Sequence, residues 1–121
     1  MRPSVCKPDP SSEFDTPERC RILDAWNDDS DPGVSIARAT VMPGVTTELH
    51  SLTGVDERYV IIEGNGVMTI GGSAPVDVGP GDIVFIPRGT PQKISNVENV
   101  NLVFYCICTP RFTSGCYKAL E

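Results

Sequence analysis

The sequence predicts an all-β domain, an antiparallel sandwich or small barrel, and three observations carry that prediction. Eleven Gly and eleven Pro fall among 121 residues, a density suited to many short strands joined by turns. Short apolar segments recur at close, regular spacing with turn residues between them. Only the final segment, 114–121, has a pattern that suits a helical turn or two. A hydrophobic share of 40% in 13.1 kDa is enough for one packed core and leaves little room for a second domain.

Each element follows in order. Residues 1–19 are rich in Pro, Ser, Asp and Glu and read as an N-terminal arm, with residues 20–121 forming the domain. Arg21 to Trp26 is the first apolar segment, and Asn27-Asp28-Asp29-Ser30-Asp31-Pro32-Gly33 is a turn. Val34 to Val41 makes a strand, Met42-Pro43-Gly44-Val45 turns, and Thr46 to Leu52 makes the next. Glu57 to Glu63 follows, and Gly64-Asn65-Gly66 reads as a tight hairpin into Val67 to Ile70. Short strands are then expected at 76–78, 83–86 and 92–95, with a long one from Asn101 to Thr109.

Charge and cysteine usage narrow the function. Ten basic against sixteen acidic side chains give −6, so no basic stripe exists to displace counterions from nucleic acid or to hold an anionic membrane. No apolar stretch follows Met1-Arg2-Pro3-Ser4, and the longest apolar run, Leu102 to Cys108, is far short of a membrane span. Five Cys, an odd number without an export signal, fit reduced thiols in a cytoplasmic protein. Cys106 and Cys108 fall on one face of a strand and read as small buried apolar residues.

The chain has one His, His50. Alternation places Thr46, Glu48, His50 and Leu52 on one face, Glu57, Tyr59, Ile61 and Glu63 on another, and Gln92, Ile94 and Asn96 on a third. An imidazole, carboxylates and a carboxamide then converge inside one barrel, a donor set that suits a first-row divalent metal. Asp82 and Asn96 read as residues that hydrogen-bond turns. Arg58 and Arg111 are the cations considered for an anionic substrate, although solvated surface positions suit both.

Two stretches carry a resemblance. Gly44, five residues, His50-Ser51-Leu52, four residues, Glu57, six residues and Gly64 resemble the first motif of the cupin family. Gly81, five residues, Pro87-Arg88-Gly89, two residues, Gln92, three residues and Asn96 resemble the second. The chain also looks similar to the small single-domain cupins described as mannose-6-phosphate-isomerase-like. The resemblance implies a double-stranded β-helix (jelly-roll) barrel and a site holding a divalent metal such as Zn, Ni, Mn or Fe. Carried over, His50 and Glu57 match metal ligands, Leu52 stands where a second His would be, and Gln92 where a third would be. The metal motif is therefore degenerate.

The expectation is a cupin that binds a small polar molecule, such as a sugar, sugar phosphate or keto acid. His50, Glu57 and Gln92 are the candidate metal ligands. Glu57 and His50 are the candidate catalytic groups, and Gln92, Tyr59 and Glu48 the candidate ligand-binding ones. A metal-dependent isomerase- or lyase-like enzyme would use the ion as a Lewis acid. The alternatives are a metal-free binding or sensor cupin, and a metal-free isomerase or epimerase pairing His50 with a carboxylate. Both faces of Leu102 to Thr109 are apolar, so a homodimer is expected, with the arm able to cross over.

Overall fold

The computed structural model describes all residues, Met1–Glu121. Eleven strands form: β1 (Phe14–Asp15), β2 (Arg21–Trp26), β3 (Ser35–Val41), β4 (His50–Leu52), β5 (Asp56–Glu63), β6 (Gly66–Ile70), β7 (Val76–Val78), β8 (Ile83–Ile86), β9 (Gln92–Ser95), β10 (Leu102–Thr109) and β11 (Tyr117–Ala119). They make two antiparallel sheets, one of order β1-β2-β3-β10-β5-β8 and one of order β11-β4-β9-β6-β7. This is the double-stranded β-helix that the turn spacing and the motifs imply. No helix is long and apolar enough to cross a membrane.

Period-two alternation decides what each strand buries. Along β5, Glu57, Tyr59 and Ile61 face inward. Along β8, Val84 and Ile86 do, and along β9, Gln92 and Ile94. Tyr59, Ile61, Val84, Ile86 and Ile94 pack with Met68, Leu102 and Phe104 into one core between the sheets. A smaller cluster of Leu52, Val55, Cys108 and Cys116 packs at one end. All five Cys are free thiols, with Cys6 exposed and Cys20, Cys108 and Cys116 buried.

Three local expectations need correction. Gly64-Asn65-Gly66 is not a hairpin, because β5 pairs with β10 and β8 while β6 pairs with β7 and β9. The segment carries the chain from one sheet to the other, passing the start of β10. Gly64 sits at φ +76, and a Cβ there would lie 2.5 Å from the Asn101 carbonyl oxygen, so the crossing needs glycine. The strand predicted from Thr46 begins only at His50. Before it, Thr46 makes a single bridge to Ser95, the Thr47 amide donates to the Ile94 carbonyl, and the Glu48 amide donates to the Glu18 carbonyl. Finally, 114–121 holds one 3-10 turn, Ser114–Cys116, and then β11, which pairs Tyr117 with Leu52 and Ala119 with His50. The open edge of the short β4 takes a strand there, where the residues' local preference alone suited a helix.

The arm of residues 1–19 joins the larger sheet through β1, which pairs Phe14 with Ile22 and Asp15 with Arg21. Further back, the Cys6 thiol donates to the Ala25 carbonyl at 3.2 Å, so the arm lies along β2 of its own chain. The turn from Thr16 to Cys20 bends back onto the smaller sheet. There Arg19, at φ 70, donates from Nε to the Thr46 carbonyl at 2.9 Å and pairs with Glu121.

Candidate functional site

A cavity of about 520 Å³ opens between the sheets, within the size range of small-molecule sites. Its walls come from the arm and from strands β2 to β5, β10 and β11. Six rings stand in the lining, those of Phe14, His50, Tyr59, Phe104, Phe112 and Tyr117. Three carboxylates, Glu18, Asp24 and Glu57, face it against one guanidinium, Arg111, which donates from Nε to Asn27 at 2.9 Å. Arg58 turns away, lying over the Phe85 ring and donating to Thr109 at 2.6 Å.

Glu57, Tyr59 and Gln92 form one buried chain. The Tyr59 hydroxyl donates to Gln92 Oε1 at 2.6 Å, and Gln92 Nε2 donates to Glu57 Oε1 at 2.8 Å. The other carboxylate oxygen, Oε2, accepts from the Cys108 thiol at 3.8 Å. Tyr59 is held flat on Phe104, with ring centroids 4.3 Å apart. Burial pushes the Glu57 carboxyl above its usual range, and the Gln92 amide and the nearby His50 pull it back. Burial also pushes Tyr59, Cys106 and Cys108 up, so these groups keep their protons and act as donors.

His50 is only 5% exposed. Its Nδ1 lies 2.7 Å from the Glu48 carbonyl oxygen, and its ring stacks on Tyr117 at 4.8 Å. Its Nε2 faces Glu18 Oε2 at 3.8 Å. Glu48 itself does not line the cavity. Its Oε1 accepts from the Tyr117 hydroxyl at 2.7 Å and so holds that ring against His50. The alternation that put Glu48 beside His50 fails because the chain before His50 is not strand.

Of the residues singled out in the sequence, His50, Glu57 and Tyr59 therefore line the cavity, and Leu52 does too. Gln92 lies behind Glu57 and Tyr59, and Glu48 behind Tyr117. Asn96 donates to the Val41 and Val100 carbonyls, and Asp82 accepts from the Gly79 amide, both as turn residues. Glu18 and Asp24 were not marked by the sequence. Glu18 sits in a Pro- and acid-rich segment with no periodicity, where nothing distinguishes a cavity carboxylate from a solvated one.

The metal set expected from the motifs does not fit a divalent ion. Gln92 coordinates only through its amide oxygen, and that oxygen is taken by Tyr59. Both Glu57 oxygens accept from side chains, and Leu52 offers no donor atom. His50 Nε2 is the one expected ligand atom that accepts no hydrogen bond from a side chain of the protein. No three His, Cys, Asp or Glu side chains gather in a way that could hold a metal ion.

Comparison with known proteins places the fold. The cupin domain family, Cupin_2, matches residues 37–108. The uncharacterised protein MJ1618 of Methanocaldococcus jannaschii is 38% identical over 87 residues, which is 72% of this chain and 69% of that protein. Among solved structures, a variant of PAC13 from Streptomyces with uridine aligns at a TM-score of 0.81, covering 100% of this chain and 93% of its own at 16% identity. KdgF from Halomonas sp. aligns at 0.77, covering 90% and 96% at 16% identity. At such identities these two likenesses are of fold. The family match runs from within β3 to within β10 and takes in both motif stretches, and so the chain belongs to the cupin family.

Proposed function

We propose that this cupin binds a neutral, hydroxyl-bearing ring molecule of about the size of a nucleoside, held directly by side chains rather than through a metal ion. The observation that carries this is the division of labour around the cavity. The motif groups Glu57 and Gln92 are tied to each other, to Tyr59 and to Cys108, while the exposed walls offer aromatic faces and free acceptors. Rings of ligand stack on aromatic walls, and hydroxyls donate to carboxylate and imidazole. Three carboxylates against Arg111 disfavour a sugar phosphate or keto acid by like-charge repulsion in a partly desolvated space. The cupin fold shared with PAC13, a structure of which contains uridine, supports a nucleoside as the first probe.

Thermal unfolding tests this. Saturating uridine, at about a hundred times its Kd, is expected to raise Tm by roughly 5–10 °C. Uridine 5′-monophosphate is expected to give little rise, and EDTA none. A Tm unmoved by uridine overturns the ligand class. A Tm lowered by EDTA and restored by zinc overturns direct binding.

The same reading includes pairing of two copies through the outer face of the larger sheet. Ile62, Ile83 and Phe85 are 45%, 63% and 51% exposed there, beside Val60 and Tyr105. An exposed apolar patch of this kind calls for cover. Light scattering at micromolar concentration is expected to give twice the chain mass of 13.1 kDa, and F85E is expected to halve it. A wild-type monomer refutes the pairing.

A further inference from the structure

Glu18 and His50 present a gap that neither closes. The Glu48 carbonyl can only accept, so the proton of the neutral His50 ring belongs on Nδ1, 2.7 Å away. Nε2 then carries a lone pair toward the cavity. Opposite it, Glu18 Oε2 stands at 3.8 Å, beyond hydrogen-bond reach, and is an acceptor as well. The Glu18 side chain is only 20% exposed, and the Cys20 thiol beside it is its one donor within the protein. Two acceptors side by side repel each other mildly, and no donor of the protein bridges them. One hydroxyl donating to His50 Nε2 and a second, on the adjacent carbon, donating to Glu18 Oε2 would satisfy both.

Both groups are held in place by their neighbours in the protein. Tyr117 stacks on the imidazole, and Glu48 in turn holds Tyr117. The Glu18 backbone carbonyl accepts from the Glu48 amide at 3.0 Å, and the neighbouring Arg19 ties the turn to Thr46 and Glu121. Each acceptor is therefore placed by the smaller sheet, although Glu18 itself belongs to the arm.

We propose that Glu18, supplied by the arm, is a specificity-determining residue that pairs with His50 Nε2 to form a two-acceptor clamp for the hydroxyls of the bound molecule. This assignment rests on the reading of the cavity as a ligand site. It gives the arm a function, because its Thr16 to Cys20 turn brings to the site a carboxylate that the cupin motifs do not contain. An anionic group at this position would meet two acceptors and be rejected.

The chain's single His makes the test direct, since nitrogen-15 spectra show only one imidazole. In the free protein at about pH 8 the ring is expected in the Nδ1-protonated form. Uridine is expected to shift the Nε2 resonance upfield as that nitrogen accepts a hydrogen bond. In E18Q the carboxamide can donate to Nε2 itself, so the same upfield shift is expected without uridine, and uridine affinity falls tenfold or more. A free ring protonated on Nε2 overturns the clamp. Equal uridine affinity in wild type and E18Q overturns it too, while leaving the ligand class standing. If uridine fails to bind the wild type, the ligand class falls, and the tautomer together with the E18Q shift then decides the clamp.

Discussion

Replacing Phe104 by alanine is expected to cost about 3–5 kcal/mol of stability, the usual range for emptying a fully buried aromatic site. Phe104 lies on β10, the strand flanked by β3 and β5, and is 2% exposed. Strands on both sides are hydrogen-bonded into the sheet, so they cannot collapse into the void. Stability of a domain this size is about 5–15 kcal/mol, so the loss is a large fraction of it. The expected fall in Tm is roughly 10–20 °C. The effect also reaches the site, because Phe104 holds the Tyr59 ring whose hydroxyl begins the chain to Gln92 and Glu57. Urea unfolding measures it, and a cost below about 1 kcal/mol would mean that the core repacks around the gap.

Gln92→Leu is expected to remove about 2–4 kcal/mol near neutral pH. The Tyr59 hydroxyl and Glu57 Oε1 are both left buried without a partner, at about 1–3 kcal/mol each, with part returned by burying Leu. The loss should depend on pH in a definite direction. Burial raises the Glu57 carboxyl above its unfolded value near 4.5, and the Gln92 amide opposes that rise. A folded-state value above the unfolded one favours folding most below about 4.5, and this advantage declines as pH rises through the folded value. Without the amide the folded value climbs further, so the decline becomes deeper and extends to higher pH. Denaturation of Q92L at about pH 4 and about pH 8 should therefore show only the pH-independent Tyr59 part of the loss at the first and the full loss at the second. An equal loss at both would mean that Gln92 does not stabilise the Glu57 charge. A loss seen only when zinc is present would reassign Gln92 to a metal.

Much of this molecule was legible in the residues. Alternation along Asp56–Glu63 puts Glu57, Tyr59 and Ile61 on one inward face, as the structure has them, whereas along Leu102–Thr109 it only sorts the side chains into two apolar sets. The motif glycines Gly44, Gly64, Gly81 and Gly89 all adopt positive φ, as turn positions require. His50 and Glu57, named from motif spacing, do line one cavity. The readings that failed are those in which periodicity was extended past its support. Glu48 was placed beside His50 by continuing a strand through residues that are not strand. The hairpin at Gly64 was read from local turn preference, but the partner of β5 is β10, far along the chain.

What the sequence by itself determined is the all-β class, most of the strands from 21 to 109, and which residues, Leu52 and Gln92 among them, stand at the motif positions. These are local properties, fixed by the backbone period and by residue identity. Tertiary structure alone decided which free atoms face the cavity. Whether Gln92 offers its oxygen to a ligand or to Tyr59, and whether Glu18 is a solvated acid or faces His50 across the cavity, depends on contacts between residues distant in the chain. Such pairings follow from how two sheets and an arm close around one space, and no local pattern encodes them.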